Sequence, residues 1–365
     1  MSDQEQQEFS VLESFSEPRL RPYMDAAQGN TNVALELYSW NAQMAGAALE
    51  QLAHLEVLLR HAVDSQLSAY VDETAKGIPW FLLPPYYTAQ AESIETVRAR
   101  LRKLKRETRD QIVAGLSFGF WSGWFGSKYD ELWRQTLHRA FPYGSGNRKE
   151  VSALVERIRK FRNRVAHHDS LLQVDIGFEM EAVFRLASFI NKDAAGWMRR
   201  VDRTSDVVAE RPASTITMDT VIVPANDAWP FYQQSHAFIC QAGRFFQNVT
   251  HMAFYADREV KPDIPRIKKR YDNLLWNTTE ATRLQSSNVR EERQLGKVMQ
   301  DGLTGGLWTE GRYQVFMLSA NGPDHVSIKT PLLNTRKGKS SAFVRKQRYT
   351  SIQKIRYADD VWDLL

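Results

Sequence analysis

The spacing of apolar residues changes once along this 365-residue chain, and no other feature constrains its fold as strongly. Over the first 200 residues, apolar side chains recur every three or four positions, which is the spacing of one face of an α-helix. The longest run of this kind comprises Leu35, Tyr38, Ala45, Leu49, Leu52, Leu55, Leu59 and Val63. After a polar stretch at 202–213 the pattern becomes an alternation of period two, which is typical of strands. The sequence therefore predicts an all-α helical bundle over residues 1–205 and an α+β domain over residues 206–365.

Capping and helix-breaking residues divide the N-terminal domain into segments. Asn30 or Thr31 is suited to cap the long helix, which we expect to end before Gly77. Two prolines favour an irregular lead-in over residues 1–28. Asn147 is expected to cap a central helix that runs into a polar cluster. Further helices are expected over 88–109, 109–125, 128–141 and 175–200.

Strand-like alternation recurs through the second domain. A turn at 321–324, with the sequence Asn-Gly-Pro-Asp, is suited to join the last two strands as a hairpin. The basic segment 265–275 and the segment 280–298 are expected to be helical. Strands are expected over 215–223, 237–240, 251–255, 313–318 and 325–329. Short strands of this kind are compatible with a small PUA-like barrel.

Cations dominate the C-terminal tail, where no acidic residue occurs between positions 336 and 356. Phe343, Tyr349 and Tyr357 lie among or beside these cations. Basic residues interleaved with aromatic ones are typical of a nucleic-acid-binding module. The alternative is a tail that only keeps the protein in solution. The cations are Arg336, Lys337, Lys339, Arg345, Lys346, Arg348, Lys354 and Arg356.

Composition excludes several classes of protein. Apolar residues make up 43% and charged residues 25% of the chain, and no apolar run is long enough to span a membrane. The polar N-terminus has no signal-peptide pattern, and Cys240 is the single cysteine, so we expect neither a disulfide nor a cysteine-rich zinc site. A cytoplasmic location fits these features. The net charge of +5 is small, but its clustering favours a polyanionic partner.

The central helix carries the most informative polar cluster of the chain. An arginine, Arg162, falls within the apolar stripe of this helix at about 100° per residue. An arginine on a core-facing stripe must be paired, or it must face a cleft where a ligand supplies the anion. The stripe consists of Val151, Leu154, Val155, Ile158, Phe161 and Val165.

The residues around Arg162 suit the cleavage of RNA without a metal ion. Such cleavage needs a base of near-neutral pKa to deprotonate the 2′-hydroxyl, and His167 and His168 are candidates. It also needs a cation for the phosphorane, which Arg162 supplies, while Asn163 is placed to orient an imidazole or donate to phosphate. The alternative is that the two histidines only close the helix, where a cationic imidazole interacts favourably with the helix dipole.

The pattern Arg162-Asn163-x-x-x-His167 resembles the Arg-x(4–6)-His signature of HEPN ribonucleases. Four other segments, in this order along the chain, resemble the Abi-like (abortive infection) branch of that superfamily, so the resemblance covers roughly residues 10–200. These segments are Phe15–Leu20, Leu37–Asn41, Leu55–Arg60 and Ser117–Ser122.

The resemblance implies a helical, metal-independent endoribonuclease of antiphage defence or of a toxin–antitoxin pair, with RNA as its partner and no cofactor. By position, Arg162 matches the motif arginine, Asn163 the polar residue after it and His167 the motif histidine, although His168 also satisfies the spacing. HEPN enzymes build a composite site from two copies of the motif, and this chain has one, so a homodimer is implied. An antitoxin or a phage component that triggers the enzyme is a further partner compatible with this setting. Where related sequences often read Leu-Arg-Asn, this chain has His61 after Arg60, which leaves the role of position 61 open.

Basic side chains outside the motif are candidates for contact with the RNA backbone. The run from 98 to 109 is the best track, with a solvated helix face as its alternative. Non-catalytic RNA binding on a degenerate HEPN bundle, or sensing of a phage signal, are the other functions compatible with the sequence. The candidate RNA-binding residues are Arg98, Arg102, Lys105, Arg106, Arg159 and Arg164. The aromatic residues Phe118, Phe120, Trp121, Trp124 and Phe125 are expected in the core rather than against bases.

Overall fold

The computed structural model describes residues 14–83, 88–212, 218–323, 325–336 and 343–364. The chain forms two compact units, one ending at Pro212 and one comprising Ala213–Leu365 together with Ala26–Gly29. The boundary lies a few residues after the predicted one because the helix Thr204–Ala209 belongs to the first unit. There the carbonyl of Val207 accepts a hydrogen bond of 2.6 Å from the indole of Trp40. Predictions for positions 1–13, 84–87 and 213–217 fall outside the described residues.

The first unit is helical throughout its described residues, as predicted. Its helices are α1 (Glu17–Ala26), α2 (Thr31–Val71), α3 (Glu73–Lys76), α4 (Thr88–Lys103), α5 (Arg109–Gly115), α6 (Phe118–Ser122), α7 (Asp130–Gln135), α8 (Arg148–Ala166), α9 (Ile176–Ile190), α10 (Lys192–Val201) and α11 (Thr204–Ala209). Asn30 caps α2 by accepting a 3.1 Å hydrogen bond from the Val33 N–H, which confirms one of the two predicted caps. Asn147 caps α8 in the same way through the Lys149 N–H at 2.9 Å.

Several predicted helices are shorter than expected, because polar side chains bond to the backbone and start a new helix. Ser117 begins α6 inside the segment 109–125, and Asn191 separates α9 from α10 inside the segment 175–200. The segment 128–141 is likewise divided, into α7 and two 3-10 turns. The irregular lead-in was a wrong prediction, since α1 forms there with Pro22 inside it. The long helix α2 ends at Val71, before the predicted Gly77, at the left-handed Asp72.

The core of the first unit is aromatic. The five residues expected there are buried, so the interpretation of this group as core is confirmed: Phe118, Phe120, Trp121, Trp124 and Phe125. They pack edge-on against one another and against Trp80. The central helix α8 lies against α2, α6 and α9, so it contributes to this core over most of its length.

The second unit combines three sheets with four helices among its described residues. The elements are β1 (Thr220–Pro224), α12 (Ala228–Ser235), β2 (Ala237–Gln241), β3 (His251–Ala256), β4 (Glu259–Val260), β5 (Asp263–Ile264), β6 (Ile267–Trp276), α13 (Thr278–Gln285), α14 (Arg290–Thr304), β7 (Gly311–Leu318), β8 (Val326–Ser327), β9 (Leu332–Leu333), β10 (Arg348–Thr350) and α15 (Ile352–Tyr357). The strand orders are β10-β1-β3-β4-β9, β2-β7-β6 and β5-β8. Only the β1–β3 pair is parallel.

Three sequence predictions for the second unit are wrong. The segment 265–275 forms the strand β6 rather than a helix, because β7 supplies backbone partners along its whole length. The turn at 321–324 does not join a hairpin, since β7 pairs with β2 and β6 while β8 pairs with β5. The segment 280–298 forms two helices, which meet closely at Gly296. A Cβ at that position would lie 2.8 Å from the carbonyl oxygen of Ala281, so only glycine permits this approach.

Candidate active site at the end of the central helix

The polar cluster closes α8 with an unusual backbone conformation. His167 is the C-cap of the helix, and His168 follows with a φ of 57°, in the left-handed region. The His168 N–H bonds to the carbonyl of Val165 at 3.0 Å, and the Asp169 N–H bonds to that of Arg164 at 2.9 Å. This pair of bonds is a Schellman motif, in which the position of His168 is usually occupied by glycine. A side chain at such a position costs roughly 1–2 kcal/mol, so a histidine is retained here at a conformational cost.

A buried amide from α2 fixes the loop that follows this helix end. Asn41 is 3% exposed, and its Oδ1 accepts a hydrogen bond of 2.7 Å from the N–H of Leu171. Its Nδ2 lies 3.5 Å from the carbonyl oxygen of Asp169, which is a long and weak contact. Because the loop is buried at Leu171, its N–H needs a partner from the protein, and Asn41 provides one. Asn41 therefore holds the backbone directly after His168.

Two tyrosines bring the N-terminal segment to the same place. Tyr38 on α2 contacts Phe15 and Tyr23, with ring centroids 5.1 and 5.2 Å apart. Burial raises the pKa of the Tyr23 phenol, while Ser170 lowers it by a hydrogen bond. Tyr23 therefore lies against the loop that Asn41 holds. Two of the segments that resemble the Abi-like family, 15–20 and 37–41, thus converge on the end of α8.

Arg162 does not occupy the position predicted for it. It is half-buried, and the buried arginine of α8 is Arg157, with a side chain that is 5% exposed. The Nε of Arg157 donates to the Glu179 carboxylate at 2.9 Å, a second bond joins the same two groups, and the guanidinium stacks 4.7 Å from the ring of Phe178. The prediction of a buried charge at position 162 was wrong because ideal helical angles do not show which side of the stripe the neighbouring helix covers.

The four motif side chains remain available for other partners. In the ranges that the structure describes, no hydrogen bond or ion pair is formed by the side chains of Arg162, Asn163, His167 or His168. Both histidines are exposed, whereas Arg162 and Asn163 are half-buried. Asn163 and His167, four residues apart, lie about 40° from each other around the axis. Arg162 and His167, five residues apart, lie about 140° from each other and so point to different sides of the helix.

The candidate RNA-binding residues are placed in several different ways. Arg98 and Arg102 each form ion pairs with Glu95 and Glu107, at distances between 2.8 and 3.2 Å. These carboxylates neutralise much of the basic track, whereas Lys105 and Arg106 are exposed. The two candidates on α8 are also engaged: Arg159 pairs with Glu156 at 2.8 Å, and Arg164 donates to the Ser170 carbonyl at 3.2 Å.

The remaining segments that carry the resemblance lie away from the helix end. Arg60 pairs with Glu56 at 3.2 Å, one turn before it on α2, and His61 is exposed. The segment Ser117–Ser122 supplies core aromatics and the cap of α6. We therefore assign these residues to the helical scaffold rather than to the site.

Sequence reasoning missed Asn41 and the pair Arg157–Glu179 as residues that position the site. Each has a signal in the sequence, since all three are polar residues at core-facing positions of apolar helices. Such residues require a buried partner, but the partner's identity depends on how the helices pack.

No family model, characterised protein or solved structure matches this chain. Within the described ranges, no helix is both long enough and apolar enough to cross a membrane. The same ranges contain no group of three or more His, Cys, Asp or Glu side chains arranged to hold a metal ion.

Proposed function

We propose that this protein is a metal-independent endoribonuclease of the HEPN type, Abi-like, acting in antiphage defence or in a toxin–antitoxin pair. The observation that carries the proposal is the end of α8. There, two exposed histidines follow an arginine and an asparagine without partners among the described residues. The backbone at this end is held by buried Asn41 and keeps a strained histidine where glycine is usual.

The proposed chemistry uses only groups of this chain. The imidazole of His167 or His168 takes the proton from a 2′-hydroxyl, whose oxygen forms a bond to the adjacent phosphorus. The bond from phosphorus to the 5′-oxygen breaks, and that oxygen takes a proton from an imidazolium. Arg162 stabilises the negative charge on the phosphorane, and Asn163 donates to it or orients the base. The products are a 2′,3′-cyclic phosphate and a 5′-hydroxyl end.

A second copy of the chain would complete this site. Arg162 and His167 point to different sides of one helix, about 140° apart, so a single copy does not present both to one phosphate. In a two-fold dimer, the arginine of one copy can face the histidine of the other. We therefore propose a homodimer with a composite site, and sedimentation of the purified protein should give the mass of two chains. A strict monomer that cleaves RNA would contradict the composite site.

The decisive experiment measures cleavage of total RNA in EDTA. The wild type should cleave, and the double variant His167→Ala/His168→Ala should be slower by roughly 10²–10⁴-fold, the usual contribution of a general base. The variant His61→Ala is the matched control, since His61 is also an exposed histidine of the first unit. Cleavage that is lost on chelation, or kept in the double variant, refutes the mechanism. An inactive wild type that still binds RNA favours the non-catalytic reading, in which the bundle binds RNA or senses a phage signal.

A further inference from the structure

Three short segments of the second unit, far apart in sequence, meet around Arg244. Its guanidinium donates to the Lys346 carbonyl at 3.1 Å and to the Gln347 side chain at 2.7 Å. Its own carbonyl accepts a hydrogen bond of 3.2 Å from Arg270 on β6. A third link joins the Gln347 side chain to the Phe245 carbonyl at 2.7 Å. We name the three segments 242–247, 268–270 and 345–347 together the basic junction.

The basic junction concentrates positive charge. Its cations are Arg244, Lys268, Lys269, Arg270, Arg345 and Lys346, and none of its three segments contains an acidic residue. These six charges exceed the net charge of +5 of the whole chain. Asp272 on β6 is the nearest acid in sequence, and its carboxylate already accepts a hydrogen bond of 2.9 Å from the Gly243 N–H. Bringing like charges together destabilises a fold, and a polyanion bound across them offsets this cost.

The central arginine is held in place while part of it stays accessible. Arg244 lies 5.1 Å from the centre of the Phe246 ring, and Arg270 lies 5.3 Å from the same ring. Phe246 is 1% exposed and packs edge-on against Phe316, so this platform is rigid. Arg244 forms no ion pair with any carboxylate among the residues that the structure describes. Its half-exposed guanidinium is therefore pre-organised, with N–H groups left for a phosphate.

We propose that the basic junction binds the phosphodiester backbone of RNA. A membrane surface fits less well, because none of the three segments has an exposed large apolar side chain to insert between lipids. Cations spread over an edge strand and two loops suit a chain of regularly spaced phosphates better than one isolated anion. The junction would hold an RNA strand while the first unit cleaves it, and in this respect the inference rests on the proposed function.

The test measures the binding of a labelled single-stranded RNA at several salt concentrations in EDTA, by fluorescence anisotropy. All proteins carry His167→Ala/His168→Ala in the full chain, so binding is read without cleavage. Adding Arg345→Glu/Lys346→Glu should weaken binding and lower the slope of log affinity against log salt by about two, one for each lost phosphate contact. A separate variant, Arg244→Gln, should lower the same slope by about one. Because the contact is with the backbone, a DNA strand of the same sequence should show the same losses.

The matched control is Arg290→Glu/Lys297→Glu on α14, which changes the charge by the same amount at exposed positions. Affinity and slope that fall equally in the control and in the junction variants overturn the proposal, and so do junction variants that bind RNA normally. Loss of binding to an acidic phosphopeptide, with RNA binding intact, also overturns it. If the wild type cleaves RNA while junction variants bind normally, only this inference fails. If no cleavage is found but binding falls as expected, the junction stands and the proposed nuclease fails.

Discussion

Replacing His168 with glycine should stabilise the protein even though it removes a side chain. His168 has a φ of 57° and closes a Schellman motif, so an L-residue there is strained. Its side chain is exposed and makes no hydrogen bond among the described residues, so little packing is lost with it. The useful comparison is His168→Gly with His168→Ala, because both variants lack the imidazole and its interaction with the helix dipole.

The size of the effect follows from two opposing free energies. Relief of the left-handed conformation is worth roughly 1–2 kcal/mol in favour of glycine. The greater freedom of glycine in the unfolded chain takes back about 0.4–1 kcal/mol. The glycine variant should therefore be about 0.5–1 kcal/mol more stable than the alanine variant. The measurement is urea denaturation of the full chain, followed by helical circular dichroism.

His167 is the internal control, because it lies one residue earlier with a φ of −87°, in the ordinary right-handed half of backbone space. There glycine should be less stable than alanine by roughly 0.5–1 kcal/mol, so the sign is opposite to that at position 168. A glycine that is no better than alanine at position 168, or the same sign at both positions, refutes the assignment of strain to His168. The same variants identify the catalytic histidine, since cleavage kept in His168→Gly assigns the base to His167.

Two further substitutions test the residues that position the site. Glu179→Gln should lower the free energy of unfolding by about 3–5 kcal/mol, because it leaves the charge of Arg157 buried and without its carboxylate, and urea denaturation measures it; a loss below 1 kcal/mol would contradict the burial of this pair. Asn41→Ala should cost roughly 1–3 kcal/mol and speed amide exchange at Leu171, whose N–H loses its acceptor; unchanged exchange at Leu171 would show that Asn41 does not hold the loop.

Local chemistry made much of the first unit predictable. Asn30 and Asn147 cap helices because a side-chain oxygen accepts from an N–H within the next turn, and this needs no distant residue. The aromatic group at 118–125 was assigned to the core because such side chains bury a large apolar area. The Arg162–His168 cluster was singled out in the same way, since its pattern lies within one helix end.

Features that depend on partners distant in sequence were not predictable. The strand β6 was mistaken for a helix because its cations mask the alternation, and only β7 supplies the hydrogen bonds that make it a strand. The sequence also placed a buried arginine at position 162, whereas packing against α9 buries Arg157 with Glu179.

By itself, the sequence determined the two-part organisation, the helix caps and the cluster at the end of α8, because each depends on neighbouring residues. Only the tertiary structure decided which polar residues are buried, how Asn41 holds the loop after His168, and which cations gather around Arg244. The physical reason is that burial and long-range hydrogen bonds join residues separated by tens or hundreds of positions, and the spacing of residues along one segment carries no information about them.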